Sequence, residues 1–417
     1  MNTEHLDTDE QRAFRLKARE WMAGRMPPRD PQEEPCDLGD GDQIAKDRRS
    51  QRILWDGGLA GITVPAAYGG QGLDKRFEDI FLEEAEPYRL PWVFGNAFNI
   101  VLPDLLAHGS EHLKTLYIPA MLRGEHMWCQ LLSEPSGGSD LFGLLTRAEK
   151  RGDKWVINGS KVWTSGGHFC DYGICLARTD PAVPKHQGLT MFIVDMRAPG
   201  VTINPIQLVR GGSHFCQEFF DDVEIPEDHV VGEVNGGWTV AQTHLAQERI
   251  SMARGWHIGL RTPAKAETIE VQTSYLDTAR QLGLEKDRHA RVLIGEAIAI
   301  DAVYAMTTAR VGKGIRSGAL PPTSGALSSL MAANTAVRRT ALLSELVGPA
   351  GVAVLPGEEE PVIGMDRVCT HRIGGGTTEM QRNIISERHL ELPREPSLDR
   401  NLPFNQLKHN SSAMAKS

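Results

Sequence analysis

The chain has 417 residues, 41% of them apolar and 24% charged, the balance of a globular protein with room for two or three domains. A net charge of −9 argues against a nucleic-acid partner held through phosphate contacts. The acidic, polar start MNTEHLDTDE does not read as a signal peptide, no membrane-spanning run is expected, and six cysteines scattered without metal-ligand spacing point to free thiols in a reducing, cytoplasmic compartment.

In chain order, the first texture is helical. Phe14, Leu16, Ala18, Trp21 and Met22 recur among charges and predict an amphipathic helix over Asp9–Met22. Prolines 27, 28, 31 and 35 break the chain, and helical text resumes over Gln43–Leu54 until Gly57-Gly58. Further helices are expected near 77–86, 96–108 and 111–122.

From 128 the texture changes. Trp155–Ile157 and Lys161–Trp163 flank Asn158-Gly159, which predicts a hairpin turning at that dipeptide. Strand text recurs at Tyr172–Ala177, Leu189–Asp195, Val201–Leu208 and Cys216–Val223, spaced as in a compact antiparallel barrel or sandwich. Helical text returns at Trp238 and continues to about Leu390, and a polar tail from Pro393 is expected to be mobile or draped on a partner. The expected fold class is α+β. Its expected parts are an N-terminal helical domain over 1–127, a middle β domain over 128–235, a helical region over 236–393 and a tail over 394–417.

Three stretches carry chemistry. The stretch Cys129-Gln130-Leu131-Leu132-Ser133-Glu134-Pro135-Ser136-Gly137-Gly138-Ser139-Asp140, with its Gly-rich turn, can bring backbone N–H groups close to an anionic or electron-rich ligand, and equally fits a plain polar loop. Lys161-Val162-Trp163-Thr164-Ser165-Gly166-Gly167 fits a wall against a flat ring, or a hairpin with a core tryptophan. Gly374-Gly375-Gly376 runs into a helix start at which Thr378 and Gln381 have capping-box spacing, an arrangement suited to a phosphate or to an ordinary capped helix.

Taken together, LLSEPSGGSD, INGSKVWTSGG and LARTD resemble the signature text of the acyl-CoA dehydrogenases. Matching text extends from Val64-Pro65-Ala66-Ala67-Tyr68-Gly69-Gly70 through Phe219–Pro226 to Gly374–Ile385, so the resemblance covers roughly residues 8 to 395. It implies an N-terminal helical domain, a middle β domain and a C-terminal four-helix bundle, with FAD between the last two. By the same resemblance, Leu132, Ser133, Trp163 and Ser165 match positions at the flavin ring. Gly138 and Ser139 match the pyrophosphate loop, with Ser139 also near the substrate, and Thr377 and Glu379 match positions near the dinucleotide. The resemblance further implies an acyl-CoA substrate, an electron-transferring flavoprotein as acceptor, and a homodimer, homotetramer or hetero-oligomer with a related subunit.

α,β-Dehydrogenation of a thioester needs a base for the α-proton, usually a carboxylate in a dry site. The position just before the Gly-Thr of the final helix, a glutamate in many relatives, is Gly375 here, which leaves only a backbone N–H for the substrate carbonyl. The alternative family position, on the first long helix after the β domain, is Glu248, followed by Arg249 at a position near the substrate. Ala241, Leu245, Glu248, Met252, Trp256 and Gly259 share one helical face on which Glu248 is the lone carboxylate. A buried ion pair is the competing reading, but the adjacent Arg249 points away from Glu248 on a helix. His168, His214, Glu379 and Glu387 are weaker candidates. Ala279–Gly283 and Glu345–Gly351 match the family's cross-subunit FAD contacts only in part. An oxidase or monooxygenase on the same scaffold, or a subunit of a mixed oligomer with reduced activity of its own, are the alternatives to a dehydrogenase.

Overall fold

The computed structural model describes residues 5, 7–29, 41–208, 212–254, 274–351, 372–394, 396 and 399–407, without side chains at 249–254, 274, 316, 322, 350 and 351. Its first helix, α1 (Asp9–Met22), starts at Thr8, whose hydroxyl accepts from Gln11 N at 3.3 Å while the Gln11 amide accepts from Thr8 N at 3.0 Å. Phe14, Ala18 and Met22, each four residues apart, form the buried face. That face meets Phe77, Ile80 and Phe81 of α3 (Lys75–Ala85) and Leu54 of α2 (Gly41–Asp56) in one apolar cluster. A wide turn, Ala97–Val101, in which Leu102 N reaches back to Ala97 O, leads into α4 (Leu102–His108), and α5 (Glu111–Leu122) follows behind a Ser110 cap.

Eight strands follow: β1 (Trp128–Leu131), β2 (Arg147–Arg151), β3 (Lys154–Ser165), β4 (Tyr172–Arg178), β5 (Leu189–Asp195), β6 (Val201–Ile206), β7 (Phe215–Pro226) and β8 (Val230–Val231). They form one sheet in the order β6-β7-β3-β2-β4-β5-β8, with β1 added to β4 in parallel and antiparallel pairing dominant elsewhere. The expected hairpin at Asn158-Gly159 is not there. Those residues lie inside one long strand, and the turn is two residues earlier than β3, at Gly152-Asp153, where Gly152 has φ +65°. Gly159 serves a bulge instead: the β3–β7 register slips between Ile157 and Gly159, and a Cβ on Gly159 would stand 2.5 Å from Thr146 Oγ1 and 2.7 Å from its Cα. The dipeptide's preference for turning is thus overridden by close approach of a neighbouring backbone.

One continuous core joins α4 and α5 to the inner face of this sheet and takes in Val240 and Ala241 of α6 (Gly237–Arg254). The last described residues, 399–407, also lie on the β domain. Phe404 N donates to Val183 O and Asn405 N to Pro181 O, both at 2.9 Å, and the Phe404 ring sits 3.4 Å from the Arg178 guanidinium carbon. This part of the tail is docked on its own chain, where a mobile or partner-draped end is expected from the sequence.

The C-terminal helices form a unit of their own. In it α8 (Arg288–Arg316) and α9 (Gly325–Val347) run antiparallel, tied by His289–Glu345, Arg338–Glu296 and Arg339–Asp301 ion pairs, and α7 (Ser274–Gln281) and α10 (Thr378–Arg388) pack on them. Tyr275, Ala279, Leu293, Ile294, Ala297, Leu342 and Leu346 fill its interior. Among the described residues α8 alone is long and apolar enough to cross a membrane by length and composition, an exception to the sequence expectation. Its carboxylates Glu296 and Asp301 are matched to arginines of α9, as in a bundle helix.

Candidate active site

The Gly-rich run forms a tight turn after β1. Glu134 and Gly137 exchange two backbone hydrogen bonds of 3.0 Å, which leaves Pro135 to Asp140 exposed at the tip, Gly138 and Ser139 among them. What holds the turn is a buried ion pair, Lys161–Glu134, at 2.8 Å with side chains 0% and 3% exposed. Lys161 also donates to Leu132 O at 3.1 Å, and the Glu134 carboxylate accepts from the backbone of Leu145 and Thr146 at 2.6 and 3.0 Å. Burial pushes the Glu134 carboxyl up, but Lys161 and those backbone donors outweigh it and hold it below the usual carboxylate range. Sequence reading passed over this pair, although Glu134 and Lys161 lie inside the two most motif-like stretches.

Val162 N donates to Ser133 O at 3.0 Å, which lays the turn against β3 where the β3–β7 register slips a second time, between Val162 and Thr164. At that slip Trp163 takes φ +68°, a left-handed conformation that is an outlier for a bulky residue, and its ring stands 57% exposed with Phe215 edge-on at 6.0 Å. The alternative of a core tryptophan is excluded. The strand is bent so that a large flat ring faces outward, flanked by the half-buried Ser165, with Leu132 and Ser133 held on the neighbouring segment. Such a platform fits a flat, largely apolar heterocycle that accepts hydrogen bonds along one edge.

Thr164 faces the opposite way, into the sheet, where its hydroxyl donates to Glu218 of β7 at 2.7 Å. Glu218 is fully buried, and desolvation raises its carboxyl to about 7 against the lowering effect of Thr164. No sequence signal separated this glutamate from others on β7.

Glu248 lies on α6 and is half-buried; the helix path of Arg249 is described but its side chain is not. The buried stripe of α6 runs through Gly237, Val240, Ala241 and His244. The sequence reading found Ala241, Leu245 and Glu248 on one face but missed His244, a polar residue in full burial one turn before Glu248. Met252 lacks a described side chain, and Trp256 and Gly259 lie outside the described residues. His244 Nδ1 is 2.6 Å from Asp104 of α4 and its Nε2 is 2.7 Å from the Gln130 side chain of β1, two residues before Leu132.

In the C-terminal unit, Gly375 and Gly376 both take left-handed conformations, φ +69° and +96°, and precede α10. The cap is Thr377, whose hydroxyl accepts from Met380 N at 3.1 Å, and not Thr378, which is buried at the first helical position. Gln381 turns back to donate to Gly375 O and Gly376 O at 3.0 and 3.2 Å, so it fixes the glycine loop rather than closing a capping box. Glu379 is exposed, 3.5 Å from Arg382. Arg280 pairs with Asp277, and Glu345 with His289, within the same unit.

Helices followed by a mixed sheet and then a helical bundle, with a bent strand offering an outward tryptophan, define the architecture. Comparison with known proteins makes the class specific. Residues 8–125, 129–223 and 235–390 match the N-terminal, middle and C-terminal domains of acyl-CoA dehydrogenase, and the chain belongs to that family. It is 34% identical over 354 residues to acyl-CoA dehydrogenase IpdE1 of Mycobacterium tuberculosis, covering 83% of this chain and 89% of that one. Identity to FadE34 of the same organism is also 34%, but that match spans only 47% of FadE34 and 84% of this chain. Among solved structures it resembles one titled Tcur3481-Tcur3483 steroid ACAD, with a TM-score of 0.73, 27% identity and coverage of 93% of this chain and 99% of that one. The ChsE4-ChsE5 complex from Mycobacterium tuberculosis gives a TM-score of 0.67 at 25% identity, covering 93% and 99%.

Proposed function

We propose that the chain oxidises an acyl-CoA thioester to its α,β-unsaturated form with FAD as cofactor, Glu248 as the base and an electron-transferring flavoprotein as acceptor. The observation that carries this reading is a half-buried carboxylate on α6, on a helix anchored by fully buried side chains, in a family member whose other base position is a glycine. FAD, when bound, supplies the acceptor for the β-hydride. The outward Trp163 ring with Leu132, Ser133 and Ser165 fits the isoalloxazine, Gly138 and Ser139 the pyrophosphate, and Thr377 and Glu379 the dinucleotide. Ser139, Arg249 and Gly375 are assigned to the thioester; the Gly375 N–H is suited to polarising its carbonyl while Glu248 removes the α-proton. The likeness to a protein titled steroid ACAD supports a bulky, ring-bearing acyl group. Four buried free thiols, Cys129, Cys170, Cys175 and Cys216, fit a reducing, cytoplasmic setting.

The test is anaerobic titration of the yellow protein with straight-chain, branched and ring-bearing acyl-CoAs, followed by flavin bleaching. Glu248→Gln is expected to keep FAD and lose at least about a hundredfold in bleaching rate, the low end for general-base catalysis. Bleaching at the wild-type rate in that variant removes Glu248 from the role.

A mixed oligomer is a second reading with its own support. Val292, Val303 and Met306 on α8 are exposed in the single chain, an apolar set that a second chain would cover. The solved structures resembling this one include the Tcur3481-Tcur3483 steroid ACAD and the ChsE4-ChsE5 complex, each named for a pair. A colourless protein when expressed alone that turns yellow with a related subunit is the outcome this reading expects.

A further inference from the structure

Three segments far apart in sequence meet at His244. Its ring is fully buried, as is the Asp104 side chain, and the two are 2.6 Å apart; on the other side the ring is 2.7 Å from Gln130 Oε1. One residue away, Thr243 Oγ1 lies 2.8 Å from Nε2 of His108, so α4 holds α6 at two points a turn apart. Asp104 and His108 are four residues apart on α4 and therefore share a face. A carboxylate on one ring nitrogen and an amide on the other fix the imidazole plane whichever way the Gln130 amide is turned. With the oxygen toward the ring, Nε2 donates to it; with the nitrogen toward the ring, Nε2 accepts.

An apolar side chain would fill this space without needing partners, and two fully buried polar groups beside a half-buried third are costly unless mutually satisfied. One function of such a network is orientation. A rotation of α6 about its axis would break both bonds at His244, and Glu248 lies on nearly the same face one turn further on. At its other end the network holds Gln130, on the strand that leads directly into Leu132 and Ser133.

We propose that His244 is a positioning residue: the Asp104–His244–Gln130 relay locks the rotation of α6 and the path of the strand before Leu132 in one frame, and so aims Glu248. The proposal rests on Glu248 being the base. The sequence contains both halves without pairing them, because 140 residues separate Asp104 from His244.

The test uses FAD-loaded enzyme and whichever acyl-CoA bleaches the wild type fastest. In His244→Ala, bleaching at saturating thioester should fall about 10- to 100-fold, as expected for a base displaced by a fraction of an ångström to an ångström. FAD content and half-saturating thioester concentration should stay near wild type. The isotope effect with α-deuterated thioester should rise, because proton removal has become slower. His244→Asn keeps a donor toward Asp104 and should recover part of the loss. An unchanged saturating rate and isotope effect in His244→Ala overturns the proposal, as does a change confined to FAD content or half-saturation. If His244→Ala does not fold, Gln130→Met, which leaves the His244–Asp104 contact in place, is read instead, and an unchanged rate there is equally decisive. The two readings fail separately. If Glu248→Gln bleaches like wild type, the base assignment is lost; if it does not and the His244 and Gln130 variants do, only the relay's role is lost.

Discussion

Glu218 shows how burial alone sets a residue's chemistry. Its carboxyl is raised to about 7 by desolvation, so between its ordinary value near 4.5 and 7 the folded chain binds a proton that the unfolded chain has released. Stability from this group therefore falls as pH rises through that window and is fully present only below it. Glu218→Gln, which keeps an acceptor for Thr164, is expected to match wild type near pH 4 and to exceed it by on the order of 3 kcal/mol above pH 8. Urea midpoints across pH read this directly; a pH-independent difference excludes the raised carboxyl. His244 and Glu218 share one reason for being illegible in the sequence: a polar residue at a core position looks like any other until the elements around it are known. Glu248 was singled out because the helical period sets a carboxylate among apolar residues, and its role as base is the proposal that Glu248→Gln tests.

At the scale of elements, helix ends and faces were readable, and strand pairing was not. The limits of α1 and α5 follow from caps at Thr8 and Ser110 and from local apolar spacing. β2 and β8 carry no strand signal, since β2 is Arg147–Arg151 with one buried residue and β8 is two residues long; pairing with neighbours makes them strands. The turn 134–137 is held to β3 by Lys161, so Lys161→Met leaves Glu134 buried and uncompensated. It should destabilise the fold by about 3–5 kcal/mol near neutral pH. Because the Glu134 carboxyl is held low, its stabilisation is present above the ordinary carboxylate value and lost as pH falls through the folded value, so the Lys161→Met penalty shrinks in acid. Lys161→Met with Glu134→Gln should cost less than Lys161→Met alone; denaturant titrations of the single and double variants at two pH values check both points.

For the molecule as a whole, the exposed apolar set on α8 predicts association. Val292, Val303 and Met306 recur at 11 and 3 residues, close to whole turns, so they share one face. Val303→Glu with Met306→Glu is expected to shift the assembly to smaller species in sedimentation velocity; an unchanged distribution places the interface elsewhere. The docked stretch 399–407 makes a different point. Lys185 bonds Asp399 and Asp140 at 3.0 Å each and so links this stretch to the tip of the Gly-rich turn, a connection across 214 residues that no local pattern announces.

The sequence by itself determined the order of helical, strand and helical parts, the helix ends and the motif text that marks the family. Periodicity, capping and turn chemistry act within a few residues and can be read along the chain. Only the tertiary structure decided that Asn158-Gly159 lies within a strand, that Trp163 faces outward from a left-handed bend, that Lys161 and Glu134 hold the turn, and that Asp104, Gln130 and His244 meet. Each of those depends on which backbones approach one another and which polar groups lose water together, and that is fixed by packing between segments distant in sequence.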